Sequence, residues 1–364
     1  MERYFKTRQV QSLLLATGLT LGLANSALAF APQMPIAKVK TETQRIQASE
    51  YLPLSRASSA LQHGQLNQAI PDLVATVEKN PMNILGLFHL GCAYLEMAKR
   101  TEDPQKQALY IEKAQQAFER VTDLNDELTL VYFKLGKIAL MKNDTAAAMQ
   151  AYQTGLKSDP HNAALIFNLA RVYDQIGDKT QAILYYQKTL AEDPNFTYAY
   201  NNLALLYEDN KEYSKAETAY KQALAKDRRY NLARLNLGNL YANMGEYQAA
   251  KNILLEAQAQ EPGNEWTYFY LGNLYLRNNQ YDQAVEAYNK VLTLNPEHVT
   301  TYYLMAVALS RLNRMDDALQ ASLKYLQLAP EGAYAKEMQS LVMAVKLSHM
   351  NGLYLAPKAL DGHN

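Results

Sequence analysis

The chain has 364 residues, 48% of them hydrophobic, with 36 Lys+Arg against 36 Asp+Glu and a formal net charge of zero. That much apolar content supports a buried core and excludes a disordered chain, and the balanced charge excludes a strongly basic nucleic-acid binder. The one cysteine, Cys92, excludes an internal disulfide, so stability has to come from packing.

At the N-terminus, Arg3, Lys6 and Arg8 precede a mostly apolar run from Val10 to Ala24 and then Ser26-Ala27-Leu28-Ala29. A positive start, a short apolar stretch and small residues two apart read as an export signal over residues 1–29, cleaved after Ala29. The run is short for a membrane span, which needs roughly 20 apolar residues. An uncleaved N-terminal anchor is the alternative. The expected location is the periplasm, a thylakoid lumen or the outside of the cell. Residues 30–49 are polar and read as a linker.

From residue 50 the chain repeats itself. "NLGNLY" at 236–241 returns as "YLGNLY" at 270–275, a shift of 34 residues. With the glycine of Leu-Gly-Asn as position 8, that position falls at Ala57, Gly91, Gly136, Ala170, Ala204, Gly238, Gly272 and Ala306. Position 20 is Ala in all eight units, from Ala69 to Ala318. Position 24 is aromatic at Phe118, Tyr152, Tyr186, Tyr220 and Tyr288, and position 4 is often Tyr. Position 32 is Pro in six units, the exceptions being Asp126 and Arg228. The units are 50–83, 84–128, 129–162, 163–196, 197–230, 231–264, 265–298 and 299–332.

Helical spacing predicts two helices per unit, A carrying position 8 and B carrying positions 20 and 24. The spacing predicts that the small residue at position 8 meets Ala at position 20, so that A and B cross closely. Pro at position 32 is expected to end helix B. The second unit is longer by 11 residues around "AKRTEDPQKQ" at 98–107. Eleven residues are about three α-helical turns, so both helices lengthen without losing phase, and Asp103-Pro104 caps the longer B. The resulting hairpin is a docking element or a neutral insertion. The first unit departs from the pattern at Arg56 and at Pro71, which belongs in a first turn or at a kink. Residues 333–350 read as one more amphipathic helix, with Met338, Leu341, Val342 and Val345 on one side, capping the last unit. Residues 351–364 read as a loose tail.

These features resemble the tetratricopeptide repeat, whose 34-residue helix–turn–helix unit carries W-x₂-L-G-x₂-Y, then Ala and Phe, then Pro. The resemblance covers residues 50–332. It implies an all-α, right-handed superhelical solenoid of eight repeats with a C-terminal capping helix, and a concave face formed by positions 2, 5, 6, 9, 12 and 13 of the A helices. It does not extend to the subclass that clamps C-terminal chaperone tails, which has Lys at position 5 with Asn at position 9.

That concave face is the candidate site. Amides recur on it as Asn168, Asn202 and Asn236 at position 6, Asn239 and Asn273 at position 9, and Asn201 at position 5. An amide both donates and accepts, so a ladder of them suits the backbone of an extended peptide. Aromatics share the face as Phe88, Phe133, Phe167 and Phe269, with Trp266 at position 2 and Tyr270 at position 6. Lys134, Lys137 and Arg171 form a basic patch, Asp174, Glu208 and Asp209 an acidic one, and Arg277 and Arg311 a second basic one. The competing reading makes the amides and aromatics packing groups.

The sequence carries no metalloprotease, nucleophile-elbow or phosphate-loop motif. His89 and Cys92, three apart on one helix face, are two ligands where a structural metal site needs more. The expected function is therefore a non-catalytic scaffold or adaptor binding a protein or peptide segment, with no cofactor, no metal, no nucleic acid and no small-molecule substrate. The alternatives are an accessory subunit of an envelope or cell-wall enzyme complex, binding glycan, and an assembly factor whose partner is a membrane complex.

Overall fold

The computed structural model describes residues 48–350; the expected signal, nearly all of the linker and the tail lie outside the described residues. Every regular element among them is a helix: α1 (Ala48–Gln62), α2 (Leu66–Lys79), α3 (Ile84–Arg100), α4 (Pro104–Leu124), α5 (Thr129–Met141), α6 (Thr145–Ser158), α7 (Ala163–Gln175), α8 (Lys179–Glu192), α9 (Thr197–Asp209), α10 (Tyr213–Lys226), α11 (Asn231–Asn243), α12 (Tyr247–Gln260), α13 (Glu265–Arg277), α14 (Tyr281–Leu294), α15 (Val299–Arg311), α16 (Met315–Leu328) and α17 (Ala335–Met350). Up to α16 the odd-numbered helices are A and the even-numbered are B. The fold is an all-α solenoid of helical hairpins. None of the helices is long and apolar enough to cross a membrane.

The chain divides into two compact units at Ala199/Tyr200, inside α9. In the first unit, Leu61, Leu73, Leu87, Phe88 and Phe118 are buried in one cluster, and Tyr152, Leu165, Leu169 and Val172 in another. In the second, Tyr220, Leu240 and Leu254 centre one cluster and Tyr288, Leu309 and Tyr325 another. The last of these takes in Met338, Leu341 and Val345 of α17, which lies against α16. Burying a side chain of this size stabilises by about 1.5–3 kcal/mol.

Helix B packs on helix A through position 24. Leu73, Phe118, Tyr152, Tyr186, Tyr220, Leu254, Tyr288 and Ser322 occupy it, and all eight are fully buried, as is every Ala at position 20. Position 8 of helix A lies directly under the position-24 side chain. A Cβ added at Gly136 would lie 2.2 Å from the ring of Tyr152, and one at Gly272 would lie 2.4 Å from the ring of Tyr288. A Cβ at Gly91 would lie 2.7 Å from Phe118, and one at Gly238 would lie 2.6 Å from Leu254. Helical side chains tilt toward the N-terminus, so the position-24 side chain reaches back over the turn that carries position 20.

The turn from A to B is one repeated device. Position 15 has positive φ at Gly64, Asn143, Gly177, Lys211, Gly245, Asn279 and Asn313, that is, in every repeat but the lengthened second. The next N–H, at position 16, donates to the position-11 carbonyl at 2.7–2.9 Å. This is a Schellman closure with a left-handed residue just past the helix. Six of the seven positions carry Gly or Asn, the residues that tolerate it.

The turn from B to the next A does not depend on Pro at position 32. Helix B ends at Leu124 and at Lys226 although Asp126 and Arg228 stand there. The common stop is at position 31. Asn80, Asn125, Asp193, Asp227 and Asn295 each accept, through a side-chain oxygen, the N–H two residues on, at 2.8–3.2 Å. The residue at position 4 then holds the carbonyl of position 32: Tyr268 donates to Pro262 O and Tyr302 to Pro296 O, both at 3.0 Å. Where Arg228 replaces Pro, the buried Arg234 at position 4 donates to its carbonyl at 2.6 Å.

The insertion adds to both helices as expected: α3 has 17 residues and α4 has 21, against 13 and 14 in the standard repeat. Asp103 caps α4 by accepting from the N–H groups of Gln105 and Lys106. Pro71 is the sixth residue of α2, past its first turn. The Asn67 carbonyl therefore has no N–H four residues on.

Substitutions at two positions test this geometry. Lys211→Gly removes a left-handed lysine and is expected to stabilise by about 0.5–1 kcal/mol, whereas Lys211→Val destabilises. Gly272→Ala drives a Cβ into the Tyr288 ring and is expected to cost about 1–2 kcal/mol net of its helix-propensity gain. Urea unfolding midpoints of the three variants check both.

Candidate functional site

In the first unit, the groove positions combine packing with charge. Phe133 is buried, and the ammonium groups of Lys134 and Lys137 lie 5.9 and 5.8 Å from its ring centre. Phe167 is half-buried between Tyr186 and Phe196, with ring centres 5.6 and 4.7 Å away. Asn168 is buried; its Nδ2 donates to the Ala164 carbonyl of its own helix at 2.7 Å, and its Oδ1 accepts from Arg171 at 3.5 Å. The amide is thus engaged locally.

In the second unit the amides join one another. Asn236 donates to Asn201 Oδ1 at 3.0 Å, and Asn201 donates to Asn202 Oδ1 at 3.3 Å. Asn201 is only 1% exposed and sits at the centre of this chain, which ties α11 to α9. Asn239 is half-buried. Asn273 accepts from the Tyr288 hydroxyl at 2.8 Å. The Tyr220 hydroxyl donates to Glu208 at 2.5 Å, while burial pushes the Glu208 carboxyl above its ordinary range.

Two clefts open on the second unit. One, of about 520 Å³, is lined by Tyr230, Leu232, Leu235, Trp266 and Tyr270, with Arg229, Asn231, Glu261 and Asn264 around them. Trp266 is 47% exposed and Leu232 is 50% exposed. The Trp266 ring meets Phe269 and His298 edge-on, at 5.8 and 5.2 Å between centres. The other cleft, of about 450 Å³, contains Asn243, Asn273, Arg277, Tyr303, Arg311 and Tyr334 among its lining residues. Tyr303 and Tyr334 stack at 3.8 Å and 8°. Arg277 and Arg311 are its charged lining residues.

The spacing placed Trp266, Tyr270, Asn273 and Arg277 on the groove but did not point to Tyr230 or Leu232. Tyr230 precedes the A helix, where helical periodicity says nothing. The signal that finds Leu232 is its position 2, the place Trp266 holds one repeat later.

His89 and Cys92 are both buried, and neither ring nitrogen of His89 has a hydrogen-bond partner. Burial lowers the His89 pKa to about 4 and raises that of the Cys92 thiol. Among the described residues no group of three or more His, Cys, Asp or Glu is placed to hold a metal ion.

Helical hairpins of fixed pitch with an aromatic and amide groove define a repeat scaffold of the protein-interaction class. The chain belongs to the tetratricopeptide-repeat family: sequence profiles of that family match residues 111–163, 139–206, 207–270, 266–298 and 299–331. No curated protein matches the sequence. Among solved structures, the chain is similar to one in the APC/C hetero-tetramer Cut9–Hcn1, at 17% identity and TM-score 0.55, covering 85% of this chain and 59% of that one. It is also similar to PilW, a widely conserved type IV pilus biogenesis factor, at 18% identity and TM-score 0.54, over 58% of this chain and 98% of that one. A tetratricopeptide-repeat protein from Parabacteroides merdae follows at 19% identity and TM-score 0.48, covering 81% and 99%. At such identities the likeness is one of fold.

The buried polar groups can be tested by unfolding. Asn236→Ala leaves the buried Asn201 oxygen without its donor and is expected to cost about 1–2 kcal/mol by urea unfolding. His89 titrates near 4 when folded and near 6.5 when unfolded, so between those values the unfolded chain binds more protons and stability falls as pH falls. Between pH 7 and 4.5 the wild type is expected to lose about 2–3 kcal/mol more than His89→Leu in the same unfolding measurement.

Proposed function

We propose that the chain is a non-catalytic adaptor that binds an extended segment of a partner protein along the A-helix groove, after export from the cytoplasm. The observation that carries the reading is Trp266, left 47% exposed over an aromatic and aliphatic cleft of about 520 Å³. Phe269 and His298 pack on the Trp266 ring and leave nearly half of the residue open, and a large aromatic in a partly apolar pocket is what anchors a partner's side chain. The described helices are all repeats or cap, leaving no separate catalytic body among the described residues. Export is supported by the basic and apolar residues before Ala29 and the small residues at Ala27 and Ala29.

The test places a photo-crosslinking amino acid at Trp266 in one full-length chain and at Leu184, an exposed residue of the B helix α8, in another. A protein crosslinked from Trp266 and not from Leu184 supports groove binding. Crosslinks concentrated on Leu184 move the interface to the B helices and overturn the reading. Sequencing of the N-terminus of the chain made with its own leader is expected to begin at Phe30.

A further inference from the structure

We propose that Lys134, Lys137 and Arg171, together with the Tyr152 hydroxyl, form a subsite in the first unit for a side-chain carboxylate of an acidic peptide segment. The inference rests on the groove reading above and adds the chemistry this part of the groove selects.

The Lys134 residue is only 7% exposed, and its ammonium lies 5.9 Å from the Phe133 ring centre with no ion pair or hydrogen bond among the described residues. Lys137, one turn on, lies over the same ring. Burial and the nearby charges of Lys134, Lys99 and Arg171 together push the Lys137 ammonium below its ordinary range. The cations are thus close enough to repel one another. Of these, Lys99 has a carboxylate, Glu96 at 3.2 Å, which Arg100 shares at 3.1 Å. Arg171 reaches Asn168 Oδ1, and Asp174 stands one turn further along α7. Lys134 is buried, Lys137 half-buried and Arg171 exposed, so the cluster runs from the core to the surface, and an oxyanion placed on it relieves the repulsion among the cations.

The second observation is independent of charge. Tyr152 is fully buried, and its hydroxyl has no hydrogen-bond partner. The equivalent hydroxyls of Tyr220 and Tyr288 donate to Glu208 and Asn273, at positions 12 and 9 of their own repeats. In the third repeat those positions are Leu140 and Lys137. Neither side chain can accept a hydrogen bond. Arg171 acts on the same hydroxyl, partly offsetting the burial that pushes its pKa up to about 12. Every polar group of the cluster can therefore donate, and a carboxylate, acceptor-only, complements all of them. Three cations on a chain of zero net charge suit one or two acidic side chains better than a polyanion such as nucleic acid.

The test is fluorescence anisotropy of the full chain with two labelled octapeptides, one of alternating Ala and Glu and one of alternating Ala and Gln. The Glu peptide is expected to bind at least about tenfold more tightly, and to weaken as salt rises from about 50 to about 300 mM. Lys137→Met is expected to weaken the Glu peptide at least about tenfold while leaving the thermal midpoint of the free protein equal or higher, because it removes repulsion. Tyr152→Phe is expected to weaken binding severalfold without lowering that midpoint. Equal binding of the two peptides overturns the proposal. So does a Lys137→Met variant that is less stable than wild type, since the lysine is then a structural group. Inorganic phosphate binding as tightly as the Glu peptide also overturns it, in favour of a free-phosphate site. A partner crosslinked at Trp266 alongside a failed Glu peptide leaves the groove reading standing and removes this subsite alone.

Discussion

The ring at position 24 rests on the backbone of position 8, and that contact sets how closely the two helices of a repeat approach. Where position 8 is glycine, the ring of Tyr152 or Tyr288 occupies the volume that a Cβ would fill. Where it is Ala170 or Ala204, Tyr186 and Tyr220 are still fully buried. The hydroxyl anchors differ as well. Tyr288, over a glycine, reaches Asn273 at position 9, while Tyr220, over an alanine, reaches Glu208 one turn further on. Each hydroxyl reaches whichever of positions 9 and 12 can accept: position 12 is Leu276 where Asn273 is used, and position 9 is Leu205 where Glu208 is used. Packing inside a hairpin and chemistry on its concave face are one problem, solved by one side chain.

The turns make the pitch reproducible. A left-handed residue at position 15 and an Asn or Asp at position 31 end the helices through hydrogen bonds to the backbone, whatever the neighbouring side chains are. This explains how the fifth repeat can lose its proline. Asp227 still stops α10, and Arg234 takes over the carbonyl that a tyrosine holds elsewhere. The order of the array depends on redundancy at each joint, as expected of a structure whose units contact only their neighbours.

What could be read from the sequence followed from what periodicity encodes. A period of 34 with Ala at position 20 in every unit fixes two helices, their phase and their buried faces, and the Met338–Val345 stripe marks the cap. Periodicity assigns a face but not a partner. Asn168, Asn202 and Asn236 share position 6, yet Asn168 bonds back to Ala164 whereas Asn236 bonds to Asn201 in another helix. An amide can turn to whichever neighbour is near, and that neighbour is a tertiary fact. The contact between positions 8 and 24 was not legible for a related reason: spacing locates Cα atoms, whereas the contact is made by a side chain leaning back one turn. The position-15 turns were legible in principle, since Gly, Asn, Gly, Lys, Gly, Asn and Asn recur there. The lysine hides the pattern, because only backbone φ shows that it takes the same conformation.

The repeats also show where local consistency is broken. Helix stops, hairpin packing and inter-repeat clamps agree with one another along most of the array. The exceptions among the described residues are buried polar atoms without a hydrogen-bond partner: the His89 ring nitrogens and the Tyr152 hydroxyl in the first unit, and Asn231 Oδ1, Arg234 Nε and Thr267 Oγ1 in the second. Of these, the Tyr152 hydroxyl has counterparts on Tyr220 and Tyr288 that are both hydrogen-bonded. Unpaired buried polar groups cost stability, and a Gln or Asn at position 9 would satisfy Tyr152 as Asn273 satisfies Tyr288. Lysine at that position forgoes the bond and adds repulsion. In a fold that solves the same local problem at 2.8 Å four repeats later, the unsolved copy is where selection for a ligand, and not for packing, best accounts for the residues present.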